Sequence, residues 1–547
     1  MQNPHRKSCG ARRPNFPNTP RLSLRFAVIA SICAALTVSS GFCVESSDPL
    51  LDLMLRKGLI TEDEAQKVKA EADTIRTNGV PPLAESKWKL SPNLKNVELF
   101  GDVRVRYEDR SAQDPAGNSL DLQRFRYAVR VGLRGDVYDD FYYGFRLEEA
   151  ANPRSPWLTL GTSSSGVPYQ GPFGKSTAGI DIGQAYIGWR PGGWLDLTVG
   201  KMPNPLFTTP MVWDGDLNPE GAAERLKYSV GSADLFATFG QFLYQDVNPS
   251  SASGGLGING LTGQKADSVF QIAWQAGLKY RFTTNTSAKM AATLYHYMGL
   301  RRSSLTSPGA LSPFFGDPYI GEGASLLGLV PGSAPGYGGY GTSGTLPGYG
   351  SLGFPLNQVG LNHLLVLEVP FEVNFKVSKV DVRLFGDAAY NLEGRQRAGD
   401  AAAAYTAVLA QTPTATTHVS PFSPQIHDVK AYQIGVAMAS KDSLGLVYGA
   451  TSSRHAWELR TYWQHVEQYA LDPNLLDSDF FEGRGNLEGI YASAAYGFTG
   501  NLIGTFRYGY ASRINKQLGT GGSNQDIPQM NPIEHYNLLQ LDLTFRF

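Results

Sequence analysis

Single-residue alternation of apolar and polar side chains dominates the chain from Val97 onward. In the last stretch, Leu539, Leu541, Leu543, Phe545 and Phe547 share one strand face, while Gln540, Asp542, Thr544 and Arg546 share the other. Such a strand is expected where lipid lies on one side and a wet lumen on the other. An amphipathic edge strand of a soluble sandwich would alternate in the same way locally. The first segment, 97–109, sets Leu99, Val103, Val105 and Tyr107 against Glu98, Asp102, Arg104, Arg106 and Glu108. The second sets Phe125, Tyr127, Val129, Val131 and Leu133 against Arg124, Arg126, Arg130 and Arg134. A charge at every other position is costly against an apolar core and natural against water.

Further segments of this kind fall at 141–149, 181–190, 194–201, 224–230, 234–244, 268–282, 287–299, 363–375, 380–391, 430–439, 454–466, 487–498, 502–511 and 535–547, making sixteen in all. The connections alternate in length. Tight ones follow even-numbered segments, as at Tyr138-Asp139-Asp140, Pro191-Gly192-Gly193, Gly231-Ser232-Ala233, 283–286 and Thr499-Gly500-Asn501. Long ones follow odd-numbered segments, at 150–180, 202–223, 245–267, 300–362, 392–429, 467–486 and 512–534. Short periplasmic turns and long external loops are the asymmetry of an outer-membrane barrel. The pattern therefore predicts an all-β fold over 97–547: a transmembrane antiparallel β-barrel of about sixteen strands. Eighteen strands is the alternative count, because 300–362 has room for a hairpin; Leu444–Thr451 is a further, weak strand candidate. Residues 300–362, rich in Gly, Pro, Tyr and Ser, read as an irregular loop at the pore mouth.

Helical spacing occurs in one place. Leu50, Leu51, Met54 and Leu55 mark a helix that Gly58 ends, and Thr61 with Glu64 forms a capping box opening a second, from Glu62 to about Ile75. Residues 45–96 are thus expected to be a short periplasmic helical hairpin and linker, serving as spacer or trimerisation aid. Ahead of it, 1–44 hold Arg6, Lys7, Arg12, Arg13, Arg21 and Arg25 with no acidic residue, then an apolar run from Phe26 to Val38 and the small residues Ser39-Ser40-Gly41. That order is a secretory signal peptide, too short in its apolar run to span a bilayer comfortably.

Composition narrows the class further. All three cysteines, Cys9, Cys33 and Cys43, lie in this leader, so disulfide chemistry is not expected beyond it. Net charge is −1, and −1 − 6 = −7 once the leader's six basic residues are removed, which argues against a nucleic-acid partner. With 27 Tyr, 27 Phe and 61 Gly, the chain is rich in the residues of aromatic girdles and turns. Trp157, Trp189, Trp194 and Tyr186 bracket strand ends, and Tyr508 and Tyr510 lie near the outer end of the fifteenth strand; these are expected at the two membrane interfaces. The bacterial cell outer membrane is the expected location, with its lipid as the surrounding partner.

Several motifs resemble a known family. Gly101-Asp102-Val103-Arg104-Val105-Arg106-Tyr107 is followed by Arg124-Phe125-Arg126-Tyr127, Gly144-Phe145-Arg146-Leu147 and Gln184-Ala185-Tyr186-Ile187. Gly200-Lys201-Met202-Pro203-Asn204-Pro205 and Trp213-Asp214-Gly215-Asp216-Leu217-Asn218-Pro219-Glu220-Gly221 continue the series. Together they are similar to the bacterial "putative porin" family of outer-membrane channels, densely from about 97 to 230. The resemblance implies a diffusion channel without a chemical step. The long loop at 300–362 departs from many relatives. Phe545 and Phe547 resemble the signal read by the bacterial barrel-assembly machinery, and a homotrimer is expected by analogy with channels of this size.

The expected pore-lining groups are Arg104, Arg106, Arg124, Arg126, Arg130, Arg134 and Arg146, on the polar face of three adjacent strands. Opposite them, the third long loop, after the fifth segment, is expected to carry the acidic constriction residues Asp214, Asp216, Glu220 and Glu224 (loop 202–223). In sixteen-stranded general porins the loop at this position folds into the barrel and narrows it. The expectation is a basic wall facing an acidic constriction loop, stiffened by Pro203, Pro205, Pro210 and Pro219. Such a transverse field favours passive diffusion of small hydrophilic solutes or ions. The plainer alternative is that the arginines solvate the lumen and pair with acids such as Asp102 and Glu148. Asp214-Gly215-Asp216-Leu217-Asn218 resembles part of a calcium loop but lacks its remaining ligand spacing, so no metal and no cofactor is expected.

Three other functions are open. An anion- or phosphate-selective channel would use the arginines as a ladder. A receptor or adhesin would use the loops 300–362 and 392–429. A barrel enzyme would need a nucleophile and base, and the eight histidines (His5, His296, His363, His418, His427, His455, His465, His535) show no metal-spaced pair and no recognisable catalytic motif. No enzyme is expected.

Overall fold

A computed structural model describes residues 93–115, 117–150, 155–161, 179–245, 269–298, 363–398, 428–450, 453–516, 520, 527 and 533–547. The expected leader and helical hairpin lie outside the described residues, as do 300–362 and any hairpin within them.

The alternating segments form β1 (Glu98–Gln113), β2 (Ser119–Asp136), β3 (Phe141–Ala150), β4 (Gly179–Gly192), β5 (Leu195–Lys201), β6 (Glu220–Val230), β7 (Ala233–Gln245) and β8 (Val269–Thr283). The second half supplies β9 (Thr286–Met298), β10 (Leu365–Glu368 and Phe371–Val377), β11 (Val380–Asn391), β12 (Lys430–Ser440), β13 (Trp457–Val466), β14 (Leu487–Gly497), β15 (Leu502–Arg513) and β16 (His535–Arg546). β10 is one strand interrupted at Val369-Pro370. Pro370 has no N–H to give the ladder, yet Val369 still exchanges both backbone bonds with Ala388. Each strand pairs antiparallel with its neighbour in sequence, and β1 pairs with both β2 and β16. Sixteen strands among the described residues therefore close a barrel, and no edge is left unpaired.

The closing seam runs from Asp102 opposite Arg546 to Gln113 opposite His535. At its periplasmic end Gly101 and Phe547 exchange backbone bonds of 3.0 and 3.2 Å. Only glycine fits there: a Cβ on Gly101 would lie 2.4 Å from the Arg130 carbonyl and 2.7 Å from the Phe547 ring. The turn between β2 and β3 places Asp139 and Asp140 at φ 62° and 64°, the twist that suits a two-residue hairpin.

Side chains obey the expected alternation. Leu99, Val103, Val105, Phe125, Val131 and Leu133 are exposed on the outer face, while Asp102, Arg106, Glu108, Arg126 and Arg130 are buried inside. Trp189, Trp194, Tyr508 and Tyr510 are outward and exposed, as girdle residues are. Two aromatics differ. Trp157 is 3% exposed and lies within the barrel, since the short segment Leu158–Thr159 pairs with β2 and draws it inward. Tyr186 faces the lumen edge-on to Tyr142.

The described part of the strand candidate Leu444–Thr451, residues 444–450, does not add a strand. Its Leu446–Tyr448 is a single 3-10 turn between glycines with φ of 99° and 77°. Leu446 and Val447 are buried against Ala456, Ala495 and Ile503, and the Glu458 carboxylate accepts from the Gly445 and Val447 N–H groups. The β12–β13 connection thus tucks into the periplasmic end of the lumen.

Candidate functional site: the lumen constriction

The loop between β5 and β6 leaves the wall at Met202 and crosses the lumen. Phe207 exchanges two bonds of 2.9 Å with Gln275 of β8. Beyond it the Thr208 hydroxyl donates to Glu368 of β10, and the Thr209 hydroxyl to Asp387 of β11 at 2.5 Å. Tyr295 of β9 donates to the other Glu368 oxygen at 2.6 Å. Trp213 then packs edge-on to Phe242 at 6.0 Å. The loop is pinned to the far wall.

A second loop, 467–486 between β13 and β14, meets it inside. The Asp214 N–H donates to the Leu475 carbonyl at 2.6 Å, and the Asp477 N–H to the Pro210 carbonyl at 3.2 Å. The Ser478 N–H donates to the Asp214 carboxylate at 3.0 Å. Leu476, Phe480 and Phe481 of this second loop join Met211 and Trp213 in one apolar core with inward residues such as Tyr295, Tyr462 and Tyr491. Part of the lumen is therefore packed, and the passage is confined to what remains.

A cavity of about 550 Å³ lies between the two loops and the wall. Its basic side is formed by Arg104, Arg106, Arg130, Arg146, Arg507 and Arg546. Its acidic side is formed by Asp214 and Asp216 from the first loop and Asp477 and Asp479 from the second. Arg130 joins the sides, lying 3.1 Å from Asp102 on the wall and 3.2 Å from Asp216 on the loop. Arg104 holds Asp102 at 2.7 Å and Arg146 holds Glu148 at 3.1 Å. Arg106 is bound to Asp479 at 2.6 Å and Asp542 at 2.7 Å, with its guanidinium carbon 4.0 Å from the Trp157 ring centroid. Arg507 pairs with Asp542. Arg546 lines the cavity without an ion pair among the described residues, and its buried Nε has no hydrogen-bond partner.

The loop carboxyls do not share one charge state. Burial, with Asp479 close by, pushes the Asp477 carboxyl up to about 7. Burial and the neighbouring Asp216 and Asp477 push Asp214 well above the usual carboxylate range. For Asp479 burial acts in the same direction, but Arg106 and Arg507 outweigh it and hold the group below that range.

Four of the seven expected basic residues line the cavity: Arg104, Arg106, Arg130 and Arg146. Arg124 and Arg126 face inward but are engaged elsewhere, Arg124 with Glu108 and Arg126 with the Trp157 carbonyl at 3.3 Å. Arg134 sits farther toward the periplasm, exposed and bound to Glu98 at 2.7 Å. Asp214 and Asp216 stand at the constriction. Glu220 and Glu224 do not, because β6 already begins at Glu220. The loop is 202–219. The outward positions Leu226, Tyr228 and Val230 carry Glu224 and Glu220 to the outer face with them. Glu220 binds Lys201 at 2.7 Å, and Glu224 accepts from Gln241 at 3.0 Å. Asp214 resembles no free calcium ligand: its two oxygens accept the N–H groups of Asp216 and Ser478. Sequence reasoning missed Arg507, Arg546, Asp477 and Asp479.

Residues 110–311 match the family described as "Putative porin". Over those residues the chain is similar to that family. With its closed barrel it is an outer-membrane channel for solute passage. No curated protein is similar enough to this chain to match it. Among solved structures, the anion-selective porin from Comamonas acidovorans is similar at 10% identity, over 83% of this chain and 99% of that one, with a TM-score of 0.37. OpdQ of Pseudomonas aeruginosa is similar at 10% identity, over 84% and 99%, with a TM-score of 0.36. OmpF of Salmonella typhi, in complex with daunomycin, is similar at 9% identity, over 84% and 100%, with a TM-score of 0.38.

Proposed function

We propose that the porin passes small hydrophilic solutes through a constriction whose field runs from the arginines of β1, β2, β3, β15 and β16 to the carboxyls of two inward loops. The observation that supports this is Arg130, set between Asp102 of the wall and Asp216 of the loop. A fixed field of this kind orders water, so a solute that replaces those hydrogen bonds passes more easily than an apolar one. The work is diffusion through a shaped field, with no chemical step.

A preference for anions is supported by Arg546, which has no ion pair among the described residues, and by the upward-shifted carboxyls of Asp214 and Asp477 facing it across the cavity. Near neutral pH the Asp477 carboxyl carries less than full negative charge, and the constriction is more basic than its residue count implies. In planar bilayers, discrete conductance steps with a reversal potential on the anion side under a salt gradient are the expected result. Absence of steps from folded barrel would refute the channel. Cation selectivity would refute the anion preference alone. The barrel-assembly machinery, acting through Phe545 and Phe547, and outer-membrane lipid are the remaining partners of this reading.

A further inference from the structure

β8 and β9 set two lysines side by side on one face. Lys279 and Lys289 are direct cross-strand partners, and their parity turns both into the lumen. Leu278, Tyr280 and Met290 beside them are exposed on the outer surface, whereas Gln275 and Thr293, of the lysines' own parity, are buried and bonded to each other at 2.7 Å. Like charges directly opposite on a sheet, with Cβ atoms about 5 Å apart, are destabilising.

The carboxylates of this sector are engaged with other groups. Asp234, opposite Lys279 on β7, binds Arg281 at 2.5 Å and accepts from the Ser229 hydroxyl at 2.6 Å. Glu372, opposite Lys289 on β10, lies 3.4 Å from Arg383 and accepts from Asn374 at 3.1 Å. Asp381 and Asp442 lie 3.5 and 3.2 Å from Lys376. Among the described residues this leaves Lys279 and Lys289 without an ion pair. Lys289 is half-buried and is held instead by ring faces, its Nζ 3.7 Å from the Phe207 centroid and 5.2 Å from that of Phe236. Lys227 of β6, opposite Phe236, stands on the same lumen face.

We infer that Lys279 and Lys289 form a binding site for a phosphate-class oxyanion, separate from the arginine-lined cavity. The inference deepens the channel reading and rests on it. Ammonium groups hold phosphate as point charges whose donors rotate to meet its oxygens, and one multiply charged oxyanion between them relieves the repulsion of both lysines. Lys227 adds positive field beside them. The site lies on the periplasmic side of the constriction loop's crossing point: Gln275, which holds Phe207, is on the same face of β8, farther from the β8–β9 turn. β8 and β9 also stand across the lumen from β1 and β16. An anion that has passed the arginines thus meets a second cationic group before the periplasm, the multi-site arrangement that lets a channel bind a solute without trapping it.

The test uses the folded full chain in detergent and in planar bilayers. Titration calorimetry with inorganic phosphate is expected to show binding that weakens about tenfold in Lys279→Gln and again when Lys289→Gln is added, one charge-assisted contact each. Lys376→Gln, whose cation is engaged by Asp442, is expected to bind as wild type does. In bilayers phosphate should reduce the chloride current through wild type more than through the double variant. Glycerol phosphate binding more tightly than inorganic phosphate would assign the site to phosphomonoester solutes, and the reverse to free phosphate. Equal phosphate binding by wild type and the double variant, an equal loss in Lys376→Gln, or acetate binding as tightly as phosphate would each overturn the site. Lys279→Gln removes a repulsion, so its yield of folded barrel should equal or exceed that of wild type; a lower yield would count against an unrelieved like-charge pair. Channel steps without phosphate binding reject the site and leave the channel intact, whereas phosphate binding to a folded barrel that gives no steps rejects the channel and leaves the site.

Discussion

Arg106 and Asp479 lie 2.6 Å apart and fasten the loop 467–486 to the first strand of the barrel. The guanidinium is almost fully buried and keeps Asp542 and Glu108 as partners, so loss of Asp479 leaves it partly compensated. Asp479→Ala is expected to cost about 1–3 kcal/mol, below the range for stranding a buried charge altogether. It should also loosen the second loop. The checks are the denaturation midpoint of the folded barrel and the open-channel noise; an unchanged midpoint with quiet channels would show that the loop is held by its apolar core alone.

Selectivity should change with pH because Asp477 has its carboxyl pushed up to about 7. A raised carboxyl is neutral below that value and anionic above it. Anion preference is therefore greatest below that value and declines as pH rises through about 7. Reversal potentials across this range would show the step, and Asp477→Asn should flatten it.

The arginines divide into two groups that mutagenesis can separate. Arg146→Gln with Arg546→Gln removes two cavity-lining cations and should bring the reversal potential toward zero or to the cation side. Arg124→Gln, which removes a cation tied to Glu108 outside the cavity, should leave it nearly unchanged. Equal effects from both would mean that overall lumen charge, not the constriction, sets selectivity.

Thr208 and Thr209 fix the constriction loop to Glu368 and Asp387. A net intramolecular hydrogen bond contributes about 0.5–1.5 kcal/mol. Thr208→Val with Thr209→Val is expected to free the loop's crossing point, seen as larger conductance fluctuations with the single-channel mean raised. A silent double variant would place the anchor at the Phe207–Gln275 pair.

Gly101→Ala should impair barrel closure, since its Cβ meets the Arg130 carbonyl at 2.4 Å and the Phe547 ring at 2.7 Å. The expected outcome is a lower yield of folded, heat-modifiable barrel on gels, with Gly193→Ala, where a Cβ meets nothing, as the neutral comparison.

The strands were legible because a lipid-facing wall forces strict alternation, and all sixteen segments fall where apolar and polar residues change places. Periodicity says which face a side chain takes, but not its height on the wall or its partner. Arg124 and Arg126 shared a face with Arg130 and were equally plausible as pore residues; cross-strand contacts to Glu108 and Trp157 separated them. Glu224 was misplaced although the signal was present, since Leu226, Tyr228 and Val230 carry its parity outward. Asp477 and Asp479 were concealed in a connection that looked external. Leu475, Leu476, Phe480 and Phe481 beside them gave the available hint, because so many apolar residues in a loop require a core to enter. Arg507 and Arg546 were readable from the alternation of their strands, but lay far in sequence from the cluster they complete.

The seam between β1 and β16 also sets a timetable. The strand made earliest in the barrel has to leave one row of backbone groups without its partner until the last strand has left the ribosome and crossed to the periplasm. No cylinder can exist before synthesis ends, however favourable the intervening hairpins are. During that interval the open strand invites pairing with other chains, and the wait grows with the sequence distance to be joined. A single missing strand at the far end would therefore leave a sheet that is almost complete and wholly unable to become a channel.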